Sequence, residues 1–321
     1  MASIDEQNIN LNSPAAPEKA VFSAQTSIGL GKPDETWAKH NLYQYPITFN
    51  GAPTRAKMII RDRVKEDATS GTFNDVEELI AIAGQGYNLL PNEEVLDVAN
   101  QAAKLAGFEP FFERLTKGDW SLGKVNGHVL CNNKETQMHA LYIPKETNKH
   151  NWEETEVGKV VRVGVDVVNS IDGKKSFGIG LFSFRAACTN GVLFGGKQET
   201  AVHYAHTKSL SSVVEQLKTL FVQQMDNARL ILENYQRLNR EKLQKKDVEL
   251  LQRVRLPEKI LPAYVADEEQ VKQEAFKDVT KWTAYNDITA QIWHNPKNDL
   301  TGKEFQFNQL HKAIPVTLRV R

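Results

Sequence analysis

Gly191, Gly196 and Lys197 stand at the spacing of a phosphate-binding loop, with Gln198 where that pattern needs a magnesium-binding hydroxyl. Such a loop works when a helix starts at the lysine, because the helix N-terminus holds the phosphate. Here ETAVHYAHTKSL separates the glycines from the next helical run, which argues against a nucleotide site. The dinucleotide pattern also fails, since Gly178 and Gly180 lack their third glycine. His203 and His206 form an H-x-x-H, and His128 is expected to face His139 across a hairpin, yet neither pair has a third ligand at supporting spacing. No nucleophile elbow is present. The reading is therefore of a non-enzymatic protein without cofactor or metal, with an unrecognised site around His203, His206 and Asn190 as the enzymatic alternative.

The cations suggest a different chemistry. Arg162, Lys174, Lys175, Arg185 and Lys197 fall in a strand-like region with Phe182, Phe184 and Tyr204 near by. Cations interleaved with aromatics suit single-stranded nucleic acid, whose phosphates take the charge while its bases stack on rings. A second group, Arg237, Arg240, Lys242, Lys245 and Lys246, closes a helical run against one acid, Glu241. Residues 75 to 115 hold eight acids against Lys104 and Arg114, although the 40 basic and 40 acidic residues of the chain cancel. That segregation allows the basic end of one subunit to meet the acidic stretch of the next, giving a ring or filament.

What must position these residues is a chain of 321 residues, 40% hydrophobic, long enough for a sizeable core. No window approaches the roughly eighteen apolar residues of a membrane span, and MASIDEQNIN lacks the blocks of a signal peptide, so no membrane partner is expected and a cytoplasmic location is. Residues 1–52, scattered with Pro and Gly, read as an irregular arm, and 53–321 as one α+β domain. DVEELIAIA from Asn74 reads as helix, and NEEVLDVANQAAKLAG as a second helix with Asn92 as N-cap and Gly107 past its end. The strand core spans 125–197: a hairpin turning at 132–135, then KVVRVGVDVVNS, whose valines 161, 163, 165 and 167 share one face, then KKSFGIGLFSFRAACTNGVLF. A helical region over 209–293 follows, with Leu217, Phe221, Ala228, Tyr235 and Leu238 at helical spacing and a last helix near 268–293. The fold class is α+β, an antiparallel sheet of four to five strands flanked by N-terminal helices and long C-terminal helices.

Several blocks carry a resemblance: YNLLPNEEVLD at 87–97, VVNSIDGKKSFGIGLFSFRAACTNGVLFGG, HTKSLSSVVEQL at 206–217 and WTAYNDITAQIWHN at 282–295. Together, over roughly 85 to 310, the chain resembles the phage- and plasmid-associated family called domain of unknown function 932. Its pattern is Tyr-x-x-x-x-Asn, Asn-Ser-x-Asp-Gly, Arg-x-x-Cys-Thr-Asn-Gly, a His-Thr before a long helix and Thr-x-Tyr-Asn-x-x-Thr. Where a typical member has His after Asn-Ser, this chain has Ile171. GVLFGGKQ is then the tail of the Arg185 to Gly191 block. The resemblance implies association with mobile elements, and the layout is similar to that of single-strand annealing recombinases, which form rings or filaments along DNA. The expectation is a mobile-element protein that binds or anneals single-stranded DNA as a homo-oligomer. The alternative is an interaction protein of a phage or plasmid that contacts a phage or host protein.

Overall fold

The computed structural model describes residues 27–66, 73–111, 125–126, 128–132, 134–145, 161–175, 177–185, 190–194, 202–204, 214–295 and 297–316. It is an α+β fold with two antiparallel sheets. The first is a four-stranded sheet in sequence order: β1 (Ile28–Leu30), β2 (Leu42–Phe49), β3 (Ala52–Glu66) and β4 (Phe73–Gly84). Helix α1 (Asn92–Ala106) follows, stopped by Gly107 in the left-handed conformation at φ 79°.

The second sheet runs β11-β10-β9-β8-β7-β6, from β6 (Val125–Asn126) and β7 (Val129–Cys131) through β8 (Gln137–Pro144), β9 (Val161–Ser170) and β10 (Phe177–Arg185) to β11 (Asn190–Phe194). β5 (Phe108–Pro110) adds to β8 and β12 (Val202–Tyr204) to β10. The chain then forms α2 (Val214–Arg240), α3 (Lys245–Arg253), the short α4 (Ala263–Ala266) and α5 (Glu268–Lys272), α6 (Lys281–Trp293) and α7 (Leu300–Ala313).

Paired residues of adjacent strands share a face, so the register sorts the second sheet. Tyr142, Val165 and Leu181 line one face, where Tyr142 donates to Asn100 of α1 and packs edge-on against Phe221 of α2. Asp166, Gly164, Phe182 and Phe184 belong to the other, where Phe111 packs tilted against Phe182 and edge-on against Phe184. Both faces of β9 and β10 are therefore buried, whereas the valine alternation predicts one buried face. The difference arises because Phe111 covers Phe182 and Phe184 on the second face, while Asp166 there is enclosed by His139. Five of the predicted α2 core positions, Leu217, Phe221, Ala228, Tyr235 and Leu238, are buried.

Other expectations are corrected. The arm over 1–52 contains β1 and β2, and DVEELIAIA lies within β4 rather than in a helix. The last helix is broken into α5 and α6, with Glu274 between them at a positive φ of 55°. Pro91, not Asn92, occupies the N-cap position of α1, without a side-chain cap, and Asn92 turns its amide to the Glu135 carbonyl. Leu130 lies opposite His139, while His128 packs edge-on against Tyr142. The start of the helical region before Val214 is outside the described residues.

Gly191 resolves the phosphate-loop question on the side of packing. It sits opposite Phe184, and a Cβ there would overlap the indole of Trp293 at the end of α6. Gly191→Ala should cost about 1–3 kcal/mol through overpacking, measured by denaturant unfolding. Combining it with Trp293→Leu should remove most of the added cost, and equal effects of the alanine in both backgrounds would show that the ring is not what demands the glycine.

Candidate functional site

The Asn-Ser-x-Asp-Gly stretch closes β9 and forms a junction. Asn169 donates to the Leu90 carbonyl and to Asn92 Oδ1, each at 2.9 Å, and the Tyr87 hydroxyl donates to the Ser170 carbonyl at 3.1 Å. Two blocks far apart in sequence thus bind one another. Ile171, between them, is buried with Leu42, Ile59 and Leu89, which fastens the first sheet to the second. Asp172 accepts hydrogen bonds from Ser170 Oγ (2.7 Å), Thr136 Oγ1 (2.9 Å), Gln137 Nε2 (3.3 Å) and the Lys174 amide (3.1 Å). Burial raises its pKa, but these four donors outweigh that and hold it below the usual carboxylate value.

Beside this turn lies a buried charge cluster. His139 on β8 is fully buried, with Nδ1 2.8 Å from Asp166 Oδ2 on β9 and Nε2 3.2 Å from Glu304 Oε1 on α7. Lys175 also pairs with Glu304 and places Nζ 3.3 Å from His139 Nε2. Burial alone would lower the histidine pKa. The two carboxylates outweigh both burial and the neighbouring Lys175, raising it to about 9. Glu304 moves the opposite way: burial, the largest single effect, raises its pKa, but the charges and hydrogen bonds of His139 and Lys175 together outweigh it and lower the pKa. With each ring nitrogen facing a carboxylate, His139 is held as an imidazolium, unable to act as a general base or offer a lone pair to a metal. Among the described residues no group of three His, Cys, Asp or Glu could hold a metal ion.

The Thr-x-Tyr-Asn-x-x-Thr block serves packing within α6. Asn286 donates to the Trp282 carbonyl and Thr289 to the Asn286 carbonyl. Tyr285 stands in a buried chain of hydroxyls running from Ser183 to Tyr235 (2.7 Å), to Tyr285 (3.4 Å) and to His311 Nε2 (2.9 Å). Burial drives the His311 pKa down to about 4 and that of Tyr235 up to about 12, so this chain is uncharged at neutral pH. Lys303, also buried, donates to the Trp293 carbonyl that ends α6.

The cations expected to bind DNA divide in two. Those of the strand region do not form an open basic face. Lys175 belongs to the buried cluster, Arg162 and Arg185 are partly buried on a covered sheet, and Phe182 and Phe184 are buried beneath Phe111, beyond the reach of a base. Lys174 alone of the described set is exposed, 3.6 Å from Asp172. Lys197 and His206 lie outside the described residues, as do residues 186–189. His203 and Asn190 are held in strand register opposite Gly178 and Arg185.

The second set does converge, at the corner between α2 and α3. Its two acids are occupied: Glu241 by Arg237 (3.1 Å) and Lys281 (3.1 Å), and Asp247 by Lys281 (3.2 Å). Lys242 donates to the Asp278 carbonyl at 2.7 Å. Arg240, Lys245 and Lys246 are exposed and form no ion pair among the described residues. The acidic stretch, by contrast, is partly taken up inside the chain: Glu78 by Arg61 and Arg63, Glu94 by Lys39 and His40, and Glu93 by His40.

A family model described as Domain of unknown function (DUF932) matches residues 80–306, from inside β4 to inside α7. The chain belongs to this family. No curated protein and no solved structure matches it. Three of the blocks expected from the family pattern, Tyr87 to Asn92, Asn169 to Gly173 and Thr283 to Thr289, build the junction and the helix packing just described. No helix among the described residues is long and apolar enough to cross a membrane.

Sequence reasoning named His139 only as a hairpin partner of His128, and missed its actual partners Asp166 and Glu304. The available signal was an ionisable group at a core position of an apolar strand, as in VGVDVV and MHALYI. The raised His139 pKa makes stability depend on pH. The folded state keeps its proton up to about 9 while the unfolded chain loses it near 6.5, so this contribution is complete below 6.5 and fades as pH rises through about 9. The urea midpoint should fall between pH 6.5 and 9 in the wild type and change much less in His139→Gln; a flat wild-type midpoint would contradict the charged histidine.

Proposed function

We propose that this protein is a non-enzymatic DNA-binding protein that holds single-stranded DNA by its phosphates at the α2–α3 corner. The observation that carries the reading is the unpaired state of Arg240, Lys245 and Lys246 beside two acids already neutralised by Arg237 and Lys281. A cation without a partner gains most from a phosphate, because no ion pair must first be broken, and each contact releases counterions. Base stacking on Phe182 and Phe184 has no support, since both rings are buried. The binding is therefore indifferent to base sequence. The mobile-element association that the family resemblance implies favours the DNA of a mobile element as the ligand, and annealing would require two strands held on neighbouring copies.

A second reading, a protein that contacts a protein partner, is favoured by one observation: a broad apolar face left uncovered by the described residues on the first sheet.

Fluorescence anisotropy with a labelled single strand at low and moderate salt tests the first reading. The wild type should bind, with affinity falling steeply as salt rises. Arg240→Ala/Lys245→Ala/Lys246→Ala should lower the slope of log affinity against log salt by about 2, at roughly 0.7 per lost phosphate contact on a single strand. Absence of binding at low salt, or a triple variant that binds like the wild type, would overturn it.

A further inference from the structure

Among the described residues, the first sheet is covered on one side only. Leu42 and Ile59 point inward to Leu89 and Ile171, so their strand neighbours point out. The register places Tyr43, Ile60 and Leu79 together on the outward face, then Tyr45, Met58 and Ile82, with Ile28 beside Phe49 and Leu30 beside Ile47. Of eleven large hydrophobic residues exposed among the described residues, five (Ile28, Leu30, Phe49, Leu79 and Ile82) lie on the four-stranded part of this face. Two more, Val64 and Phe73, lie on the same face where β3 and β4 continue beyond β2 as a two-stranded ribbon. Their exposures run from 47% to 77%.

Chance does not favour seven of eleven on one face. At roughly 100 Å² each, the seven approach the ~800 Å² that one partner contributes to a standard protein interface, and exceed the ~300–600 Å² that a monomer ordinarily leaves bare. Charge decides what covers it. Across the paired registers of the four-stranded part, the outward face carries no charged side chain. The acids Asp62, Asp75 and Glu77 begin only on the ribbon. A basic partner or a nucleic acid would find no counter-charge on the apolar part, whereas an identical uncharged face is complementary to it.

We infer that a second copy of this chain packs on that face, sheet against sheet, to form a two-fold dimer. Aligned sheets pack about 10 Å apart with their inner side chains interdigitated. A two-fold axis running across the strands sends the acidic ribbons to opposite ends, so that Asp62, Asp75 and Glu77 do not face their own copies. This is an isologous contact, unlike the head-to-tail contact of basic and acidic stretches expected from the sequence. It leaves the α2–α3 corner of each copy free, so it stands apart from the DNA-binding reading.

Sedimentation velocity of the full chain over a concentration series tests it. The wild type should be a dimer, and Leu79→Gln/Ile82→Gln should raise the dimer dissociation constant about tenfold or more while keeping the wild-type circular dichroism and DNA affinity per chain. Val222→Gln/Leu250→Gln, at exposed apolar positions on the helices, should remain dimeric. A wild type that is monomeric throughout would overturn the inference, as would a Leu79/Ile82 variant as dimeric as the wild type. Removing residues 1–26 should leave the dimer intact; dimerisation only after their removal would show that the chain's own N-terminal segment occupies the face, which also overturns it. Loss of DNA binding in the corner variant with the dimer preserved would separate the two ideas.

Discussion

A histidine with no exposed surface is costly to charge, and here it is charged all the same. His139 can be an imidazolium inside the sheet only because Asp166 lies against one ring nitrogen and Glu304 against the other. Removing either carboxylate would leave a buried cation half compensated, which typically costs about 3–5 kcal/mol. The requirement fixes positions along most of the chain. β8 and β9 must keep the register that sets Leu141 opposite Asp166 and Val168 opposite His139, and α7 must return to the sheet from the far end of the helical region. Lys175 ties the β9–β10 turn to the same carboxylate. The neighbouring Asp172 holds that turn closed, and Ile171 within it anchors the first sheet.

The blocks that carry the family resemblance acquire a physical meaning in this frame. Tyr87, Asn92, Asn169 and Ser170 are joined by hydrogen bonds between α1 and the end of β9. Gly191 makes room for Trp293, whose carbonyl is in turn held by Lys303, the neighbour of Glu304. These residues hold two sheets and a helical layer together, and the ionisable groups among them are closed off by partners. Among the described residues, what lies outside this framework is a corner of unpaired cations and an uncharged apolar face, on different elements and of opposite chemical character.

How much of this was legible in the sequence depended on how far apart the partners are. The face of α2 was legible because one helix repeats its own period, and Leu217 to Leu238 are buried as that period demands. β4 was not, because a register shift between β3 and β4, with Ile80 the extra residue on β4, interrupts the two-residue alternation. It leaves Val76, Leu79, Ile80 and Ala83 at three- and four-residue intervals, the spacing a helix would show. β2 was hidden by Pro46, which sits beside a second register shift and accepts a hydrogen bond from Gly31 without needing to donate one. The described strand cations do not form an open basic face for the same reason of distance. Nothing local distinguishes Lys175 from Lys174, yet the partner that buries Lys175 is 129 residues further on. The α2–α3 corner was legible because its cations and its neutralising residues are mostly close in sequence.

The central claim is that His139 is a locked cation organising the fold rather than a base available for chemistry. Nitrogen-15 NMR of the chain labelled at histidine measures it directly. The account predicts that, at neutral pH, His139 shows two protonated ring nitrogens, and that these signals stay unchanged from about pH 6 to 8 while histidines of ordinary pKa, near 6.5, titrate. A neutral His139 ring at pH 7, or one that titrates near 6.5, would contradict it.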